Sequence, residues 1–312
     1  MPRTAPVFLV GAERSGSTLL RSMLAHHSQI AFGGEFDFLV DAISADGRFM
    51  KRANFLKAIE LDRSFARHRL TIPLEGNFPA IANNLLDQIE AGTPGAKIVG
   101  ATLFRDFDRI LYLWPEARFI HLVRDGRDVA MSTLPTGLSG NLWHAIQNWV
   151  EVEVLWERMS HKLPIERQIT VKYEMLARDP EYELRRLTDF LEIAFDPAML
   201  RHNDDGSYSA PPGDSVGRWR NADPGDLGAA EHRAARWLLQ NGYFLSGSVR
   251  SPSIIRRASL RLQHRMAISK RRRALFGTKM WLKGVLLGRF GSQKAKDALV
   301  RRENEILDRR PG

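Results

Sequence analysis

The 312-residue chain contains no cysteine. It can therefore form no disulfide framework, thiolate metal site or cysteine nucleophile, and it suits a reducing compartment. Long apolar runs are also missing, because Lys283 and Arg289 interrupt the most apolar late segment, residues 280–290, which is far shorter than the roughly 20 residues of a spanning helix. The first apolar strand begins close to Met1 and leaves no room for a signal peptide. We expect a cytoplasmic protein without a transmembrane helix.

The net charge of +10 is distributed unevenly, because acidic residues are scarce at the end of the chain. From Arg250 onward there are 18 Lys and Arg against 4 Asp and Glu, whereas the preceding part has 28 against 32. The hydrophobic content of 44% is that of a globular protein. We therefore expect two parts, a globular domain over residues 1–247 and a basic, amphipathic helical extension over residues 248–312.

The first informative stretch joins a buried strand at residues 6–10 to a helix that begins near Leu19. Between them lies the loop Gly11-Ala-Glu-Arg-Ser-Gly-Ser-Thr18, and a glycine-bounded loop before a helix N-terminus is typical of phosphate binding. The spacing from Gly11 to Gly16 is that of a P-loop, but Ser17 stands where the phosphate-binding Lys belongs. The ligand should carry a phosphate without being ATP or GTP. A P-loop kinase or NTPase with a degenerate motif remains an alternative.

The second informative stretch is the apolar strand 118–123, which runs into Arg124-Asp-Gly-Arg-Asp128 and a following helix. Strands that alternate with helices predict an α/β fold with a central, mostly parallel sheet. Ligands bind at the carboxyl ends of such strands, so Arg124 should lie near Arg14. The segments 36–95 and 134–148 carry no motif and are expected to form the walls of a substrate pocket.

These two stretches resemble the cofactor motifs of sulfotransferases that use 3′-phosphoadenosine 5′-phosphosulfate (PAPS). The resemblance covers roughly residues 5–245 and is nearest to the tyrosylprotein and carbohydrate branch. It implies a P-loop-like three-layer α/β/α fold, PAPS as cofactor with adenosine 3′,5′-bisphosphate (PAP) as product, and no metal. The cofactor-binding residues implied by the resemblance are Arg14, Ser15, Gly16, Ser17 and Thr18 at the 5′-phosphosulfate, Arg124 and Ser132 at the 3′-phosphate, Tyr173 near the nucleotide, and Arg218 as a further 3′-phosphate contact.

The same resemblance assigns catalytic roles. Glu35 follows the first helix in a Gly-Glu context and corresponds to the general base, and Arg14 stabilises charge on the sulfuryl group. Cytosolic aryl sulfotransferases use a histidine instead, so His121 and His144 are rival candidates. Many relatives also carry a Lys-Thr-Pro or Lys-Asp-Pro at the position of residues 100–103, where this chain has no lysine.

Three consequences of the missing lysine remain open. Arg14 acts alone, Lys97 reaches into the site, or the chain has lost activity and is a non-catalytic, PAP-binding protein of the membrane surface. The extension 248–312, called the tail below, interleaves basic and apolar residues over 259–287, which favours an interfacial helix on the inner face of an anionic membrane. A tail folded back on the acidic globular domain and a solvated, charged tail are the alternatives. No nucleic-acid-binding module accompanies this charge, so no nucleic-acid partner is expected. The acceptor is expected to be a hydroxyl of a carbohydrate or of a membrane-borne glycan or lipid.

Overall fold

The computed structural model describes residues 5–201 and 215–309. Its centre is a five-stranded sheet in which every described pairing is parallel and the strand order is β2-β3-β1-β4-β5. The strands are β1 Val7–Val10, β2 Ile30–Glu35, β3 Ile98–Leu103, β4 Arg118–Val123 and β5 Gln168–Lys172. This arrangement confirms the predicted α/β fold with a parallel sheet.

Helices cover both faces of the sheet, and apolar residues form one large core cluster on each face, with a small third cluster of Trp143, Ala229 and Leu260 beside them. The described α-helices are α1 Ser17–Ala25, α2 Asp37–Val40, α3 Arg52–Ile59, α4 Arg63–Ala66, α5 Phe78–Ala91, α6 Gly126–Thr133, α7 Leu142–Ser160, α8 Tyr173–Arg178, α9 Pro180–Leu191, α10 Pro224–Gln240, α11 Ile254–Phe290 and α12 Gln293–Asp308. In β1, Phe8 and Val10 belong to one cluster and Val7 and Leu9 to the other, as the two-residue period of a strand requires. Burial on both faces explains why this strand is apolar throughout.

The strand order reverses at β1. After β1 the chain crosses to β2 at one edge and returns through β3, and β4 then lies on the other side of β1. The loops that leave the carboxyl ends of β1, β3 and β4 therefore meet at a switch point, where open α/β sheets bind their ligands.

Apolar residues recur at helical spacing from Phe104 to Trp114 and predict a helix there, but the structure has only a short 3₁₀ helix, Phe107–Tyr112. The carboxylate of Asp37 accepts hydrogen bonds from the backbone N–H groups of Phe104 at 2.9 Å and Arg105 at 3.2 Å. Asp106 then adopts a left-handed conformation, with φ 45°. These contacts delay the start of the helix, and they involve a carboxylate 67 residues away from Phe104.

The tail, residues 248–312, packs back on the preceding globular part of the chain at two places. Asn141 donates a hydrogen bond from Nδ2 to the carbonyl oxygen of Leu260 at 2.8 Å, which places α11 against the start of α7. The Asn304 side chain donates to the carbonyl oxygen of Leu61 at 3.0 Å, which places α12 beside α3 and α4. Between these contacts α11 bends at Gly277, where φ is +79°. None of the helices within residues 5–201 and 215–309 combines the length and the hydrophobicity that a membrane span requires.

Candidate active site

A cavity of about 390 Å³ lies at the switch point. It brings together eight of the nine predicted cofactor residues and the predicted base, from five separate parts of the chain. The predicted residues that line it are Arg14, Gly16, Ser17, Thr18, Glu35, Arg124, Ser132, Tyr173 and Arg218. Ser15 is the exception. It is buried within the loop and does not line the cavity, and its hydroxyl has no hydrogen-bond partner among the described residues.

The loop after β1 has a conformation that its sequence explains. Gly16 has φ +99°, and a Cβ at this position would lie 2.3 Å from Cδ2 of Tyr173. Arg14 also has a positive φ, 70°, which is uncommon for a residue with a side chain and is often found at functional sites. Ser17 opens α1, and the N–H groups of a first helical turn have no partners within the helix. The loop therefore offers backbone donors and a guanidinium to an anion.

Arg124 connects the loops of the site, and its side chain is buried. It donates from Nη1 to the carbonyl oxygen of Arg14 at 3.1 Å and from Nη2 to the carbonyl oxygen of Ser215. Its guanidinium lies 4.4 Å above the ring of Tyr173. The buried Nε has no partner among the described residues. An unpaired, charged donor on the cavity wall suits a bound phosphate.

Ser132 and Arg14 are also in direct contact, because Nε of Arg14 donates to Oγ of Ser132 at 3.1 Å. Ser132 lies on α6, the helix that follows Arg124, so α6 carries its hydroxyl to the same cavity wall.

A third loop carries Arg218, and Asp128 holds that loop in place. The Asp128 carboxylate accepts hydrogen bonds from the backbone N–H groups of Gly217 at 2.6 Å and Trp219 at 3.0 Å. Burial raises the pKa of Asp128, and the two N–H donors oppose this shift. Arg127 lies 3.6 Å above the Trp219 ring. The sequence did not predict this role of Asp128, because a carboxylate four residues after Arg124 does not indicate which backbone groups it binds.

Glu35 ends β2 and lies on the wall of the same cavity. Its carbonyl oxygen is 2.9 Å from Nε2 of His68 and accepts a hydrogen bond from the Ser64 hydroxyl at 3.2 Å. A carbonyl can only accept, so Nε2 carries the proton in this contact. The same hydroxyl lies 3.4 Å from Oε2 of Glu35. Burial lowers the pKa of His68, which favours the neutral ring beside Glu35.

The two rival histidines lie elsewhere. His121 is buried in β4, stacks on Trp156 at 4.5 Å and lies 3.3 Å from Glu153. His144 stacks on His264 of the tail at 4.2 Å, and burial lowers its pKa to about 4. Neither of these two described residues lines the cavity around Arg14.

Lys97 is also remote from the site, so the proposal that it replaces the missing lysine is wrong. It directly precedes β3, at the amino edge of the sheet. The six residues of β3 span roughly 20 Å, and the site lies beyond the opposite end. The basic residue that follows the carboxyl end of β3 is Arg105, whose guanidinium lies 2.6 Å from Asp41. The sequence did not indicate Arg105, because the short run 97–100 predicts a strand that ends at Gly100, whereas β3 continues to Leu103.

A second cavity of about 590 Å³ adjoins the first. Glu13, Arg14 and Phe104 line both cavities, so the two meet at the carboxyl ends of β1 and β3. Apolar side chains of α6 and α7 form much of its wall, together with Arg105, Asp106, Gln147, Asn148, Glu151 and Arg158. The expected pocket segment 134–148 contributes to this wall, whereas none of the described residues 36–95 does.

Comparison with known proteins agrees with this geometry. A model described as "Sulfotransferase family" matches residues 6–197, which include the loop after β1, Arg124 and Ser132. The chain belongs to the sulfotransferase family. This membership confirms the resemblance on which the sequence analysis relied, and it favours sulfuryl transfer over the P-loop kinase alternative.

Named relatives match this sulfotransferase at low sequence identity. It is 26% identical over 207 residues to a protein-tyrosine sulfotransferase of Drosophila melanogaster, with 64% of this chain and 40% of that protein covered. It is 24% identical over 210 residues to protein-tyrosine sulfotransferase A of Caenorhabditis elegans, with 64% and 53% covered. The chain thus spans about half the length of these curated relatives, or less.

One solved structure supports the fold. The sulfotransferase domain from the curacin biosynthetic pathway is similar, with a TM-score of 0.57 and 18% identity, and the match covers 78% of this chain and 99% of that chain. Within residues 5–201 and 215–309 there is no group of three or more His, Asp or Glu side chains placed to hold a metal ion.

Proposed function

We propose that the protein transfers the sulfuryl group of PAPS to a hydroxyl acceptor. One observation carries this proposal: a single cavity joins the Arg14 loop to Arg124, Ser132 and Arg218. PAPS carries a 5′-phosphosulfate and a 3′-phosphate, which need two sets of hydrogen-bond donors, and the cavity offers both. The loop after β1 supports binding of the 5′-phosphosulfate, and the unpaired Nε of Arg124 supports binding of the 3′-phosphate.

The residues of the chain have distinct roles in this reaction. When bound, PAPS supplies the sulfuryl group, whose S–O bond to the 5′-phosphate breaks as the acceptor oxygen bonds to sulfur. Arg14, Ser17 and Thr18 stabilise the negative charge on the sulfuryl oxygens and the departing phosphate. The buried contacts of Arg124 keep the loop in position before the ligand arrives, which lowers the cost of binding.

Glu35 is the proposed general base and accepts the acceptor's hydroxyl proton. Its carbonyl oxygen is held by Ser64 of α4 and by His68, which follows α4, so the carboxylate starts from a fixed position on the cavity wall. Glu13 is a second carboxylate at the junction of the two cavities, and it provides the matched comparison for a test of this role.

We further propose an aromatic hydroxyl, such as that of a tyrosyl side chain, as the acceptor. The names of the relatives in Drosophila and Caenorhabditis support this choice. The adjoining cavity supports it too, because apolar side chains such as Phe104 and Leu155 suit a ring, whereas Gln147 and Glu151 offer polar contacts to a peptide. The glycan or lipid hydroxyl expected from the sequence is the alternative.

The test has two stages. Calorimetric titration should give tight binding of PAP and weak binding of AMP and ATP-Mg²⁺. Turnover is then measured with radiolabelled PAPS on tyrosyl peptides, glycans and lipid alcohols. Preference for ATP-Mg²⁺ would overturn the proposal. PAP binding without turnover on any acceptor would favour the non-catalytic alternative instead.

A further inference from the structure

We propose that α11 seats the protein on the surface of an anionic lipid bilayer. The proposal concerns the tail alone and does not rest on the proposed reaction. Helix α11 has eleven Lys and Arg residues and no Asp or Glu, whereas α12 has four of each sign. The tail's excess positive charge is therefore concentrated on one of its two helices.

The same helix exposes an unusual amount of apolar surface. Eight of the exposed large hydrophobic side chains of the described chain lie on α11: Ile254, Ile255, Leu262, Met266, Leu282, Val285, Leu286 and Phe290. Single exposed hydrophobic residues are common on proteins, but a helical series of them marks an interaction surface.

The second half of α11 turns its apolar stripe away from the protein. Leu282, Val285, Leu286 and Phe290 recur at helical spacing and are 50–79% exposed. A Cβ at Gly284 would lie 3.5 Å from Leu299 of α12, so Gly284 marks the face that packs on the tail's second helix. At 3.6 residues per turn, the centre of the stripe lies roughly opposite Gly284. Within residues 5–201 and 215–309, nothing packs on this stripe closely enough to bury it.

The first half of α11 likewise has one face that packs on the protein and an opposite face that is exposed. Leu260 is buried, and Ala267 approaches Gly140, so these positions mark the face that packs on the start of α7. Leu262 and Met266 are 60% and 62% exposed and lie on the opposite side of the helix. Each half of α11 therefore packs on the protein with one face and presents apolar side chains on the other.

Basic side chains accompany the exposed stripe. Lys279, Lys283 and Arg289 are exposed and lie within or beside the arc of Leu282, Val285 and Leu286. Long basic side chains can bury their stems beside apolar groups while the charged ends remain among lipid phosphates. A helix that combines an apolar stripe with uniformly positive charge fits the boundary between headgroups and acyl chains of an anionic leaflet.

The experiment uses the full chain and vesicles of phosphatidylcholine, with and without phosphatidylserine, in co-sedimentation without nucleotide. We expect binding only to the phosphatidylserine vesicles, and weaker binding at high salt. The double variant Leu286→Glu/Phe290→Glu should lose tenfold or more in affinity, because it places acidic groups in the stripe. Leu239→Glu/Phe244→Glu is the matched control, since Leu239 and Phe244 are 54% and 85% exposed and lie outside the tail. It should bind like the wild type.

Two double charge-reversal variants test the contribution of the basic residues. Lys279→Glu/Lys283→Glu should weaken binding by roughly tenfold or more, whereas Lys57→Glu/Lys162→Glu, with the same change in net charge at exposed positions of the body, should have a much smaller effect. Circular dichroism and thermal melts check that all variants fold. Equal binding to both vesicle types, binding that the α11 variants leave unchanged, or binding to duplex DNA but not to vesicles would each overturn the proposal.

Discussion

The guanidinium of Arg124 donates a hydrogen bond to the carbonyl oxygen of Arg14 at 3.1 Å. This contact joins the loops that follow β1 and β4, whose residues are 110 positions apart in the chain. The same side chain lines the cavity, and its Nε has no partner among the described residues, so the proposed binding role adds to a structural one. Tests of Arg124 must separate these two roles.

Replacing Arg124 with alanine should abolish the preference for PAP over AMP. PAP affinity should fall by about 100-fold, the usual cost of removing one partner of a buried charged pair, whereas AMP affinity should fall less. Calorimetry with both nucleotides measures the ratio. Arg118→Ala is the control, because Arg118 begins the same strand at the far edge of the sheet. An unchanged preference in Arg124→Ala would remove this residue from the 3′-phosphate site.

Glu35→Gln should bind PAP like the wild type while turnover falls by about 100-fold or more, because the amide cannot accept the proton. Initial rates with PAPS and a tyrosyl peptide measure this loss. Glu13→Gln makes the same chemical change at the junction of the two cavities and should retain most of the activity. If Glu13→Gln is the inactive variant of the two, Glu13 rather than Glu35 is the base.

Asp128→Ala should raise KM for PAPS more than it lowers kcat. Without the carboxylate, the N–H groups of Gly217 and Trp219 lose their acceptor, and the loop that carries Arg218 is no longer held. The free energy of unfolding should also fall by about 1–3 kcal/mol, the cost of leaving buried polar groups unpaired. Arg218→Ala should reproduce the KM effect without the loss of stability. Identical melting curves for wild type and Asp128→Ala would contradict this role.

Asp37 should make stability depend on pH in the acidic range. Burial raises its pKa from 3.8 to about 6, although the N–H groups of Phe104 and Arg105 and the charge of Arg105 oppose the shift. Between these values the folded state binds more protons than the unfolded state, so the free energy of unfolding falls as the pH rises through this window. The raised pKa of Asp37 changes the free energy of unfolding by on the order of 3 kcal/mol across this window.

The variant Asp37→Asn lacks this titration but keeps an oxygen that can accept the same two N–H groups. Its free energy of unfolding, measured by urea denaturation, should therefore rise relative to the wild type as the pH increases from about 4 to about 6. A constant difference between the two proteins across this range would show that Asp37 does not titrate as described.

Sequence alone predicted the sheet and the meeting of Arg14 with Arg124, because both depend on local patterns. The strands β1 and β4 are short apolar runs, and the rule for the carboxyl ends of parallel strands supplied the rest. The tail helix was likewise visible in its periodicity and charge.

Contacts between residues far apart in the chain were not predictable in this way. The hydrogen bonds of Asp128 to Gly217 and Trp219 join residues about 90 positions apart. The contact of Asp37 with Phe104 holds the backbone just before residue 107, where the 3₁₀ helix begins. In both cases a short polar side chain reaches the backbone of another element, and neither composition nor spacing indicates such a pairing.

Gly16→Ala should destabilise the protein for two separable reasons. The φ of +99° strains any residue with a Cβ, and the added carbon would lie 2.3 Å from Cδ2 of Tyr173. Gly95 has a similar φ of +88° with nothing near its Cβ position, so Gly95→Ala measures the backbone strain alone, about 1 kcal/mol. Gly16→Ala should cost at least about 1 kcal/mol more than this, in the range of overpacked sites.

A double-mutant cycle with Tyr173→Ala isolates the contact with the ring. In the Tyr173→Ala background, Gly16→Ala should cost no more than Gly95→Ala costs in the wild type, because the obstructing side chain is gone. Denaturant melts give all the free energies, and PAP titration shows whether the loop still binds. If the cost of Gly16→Ala is the same with and without Tyr173, the ring does not determine the choice of glycine at this position, and backbone conformation alone explains it.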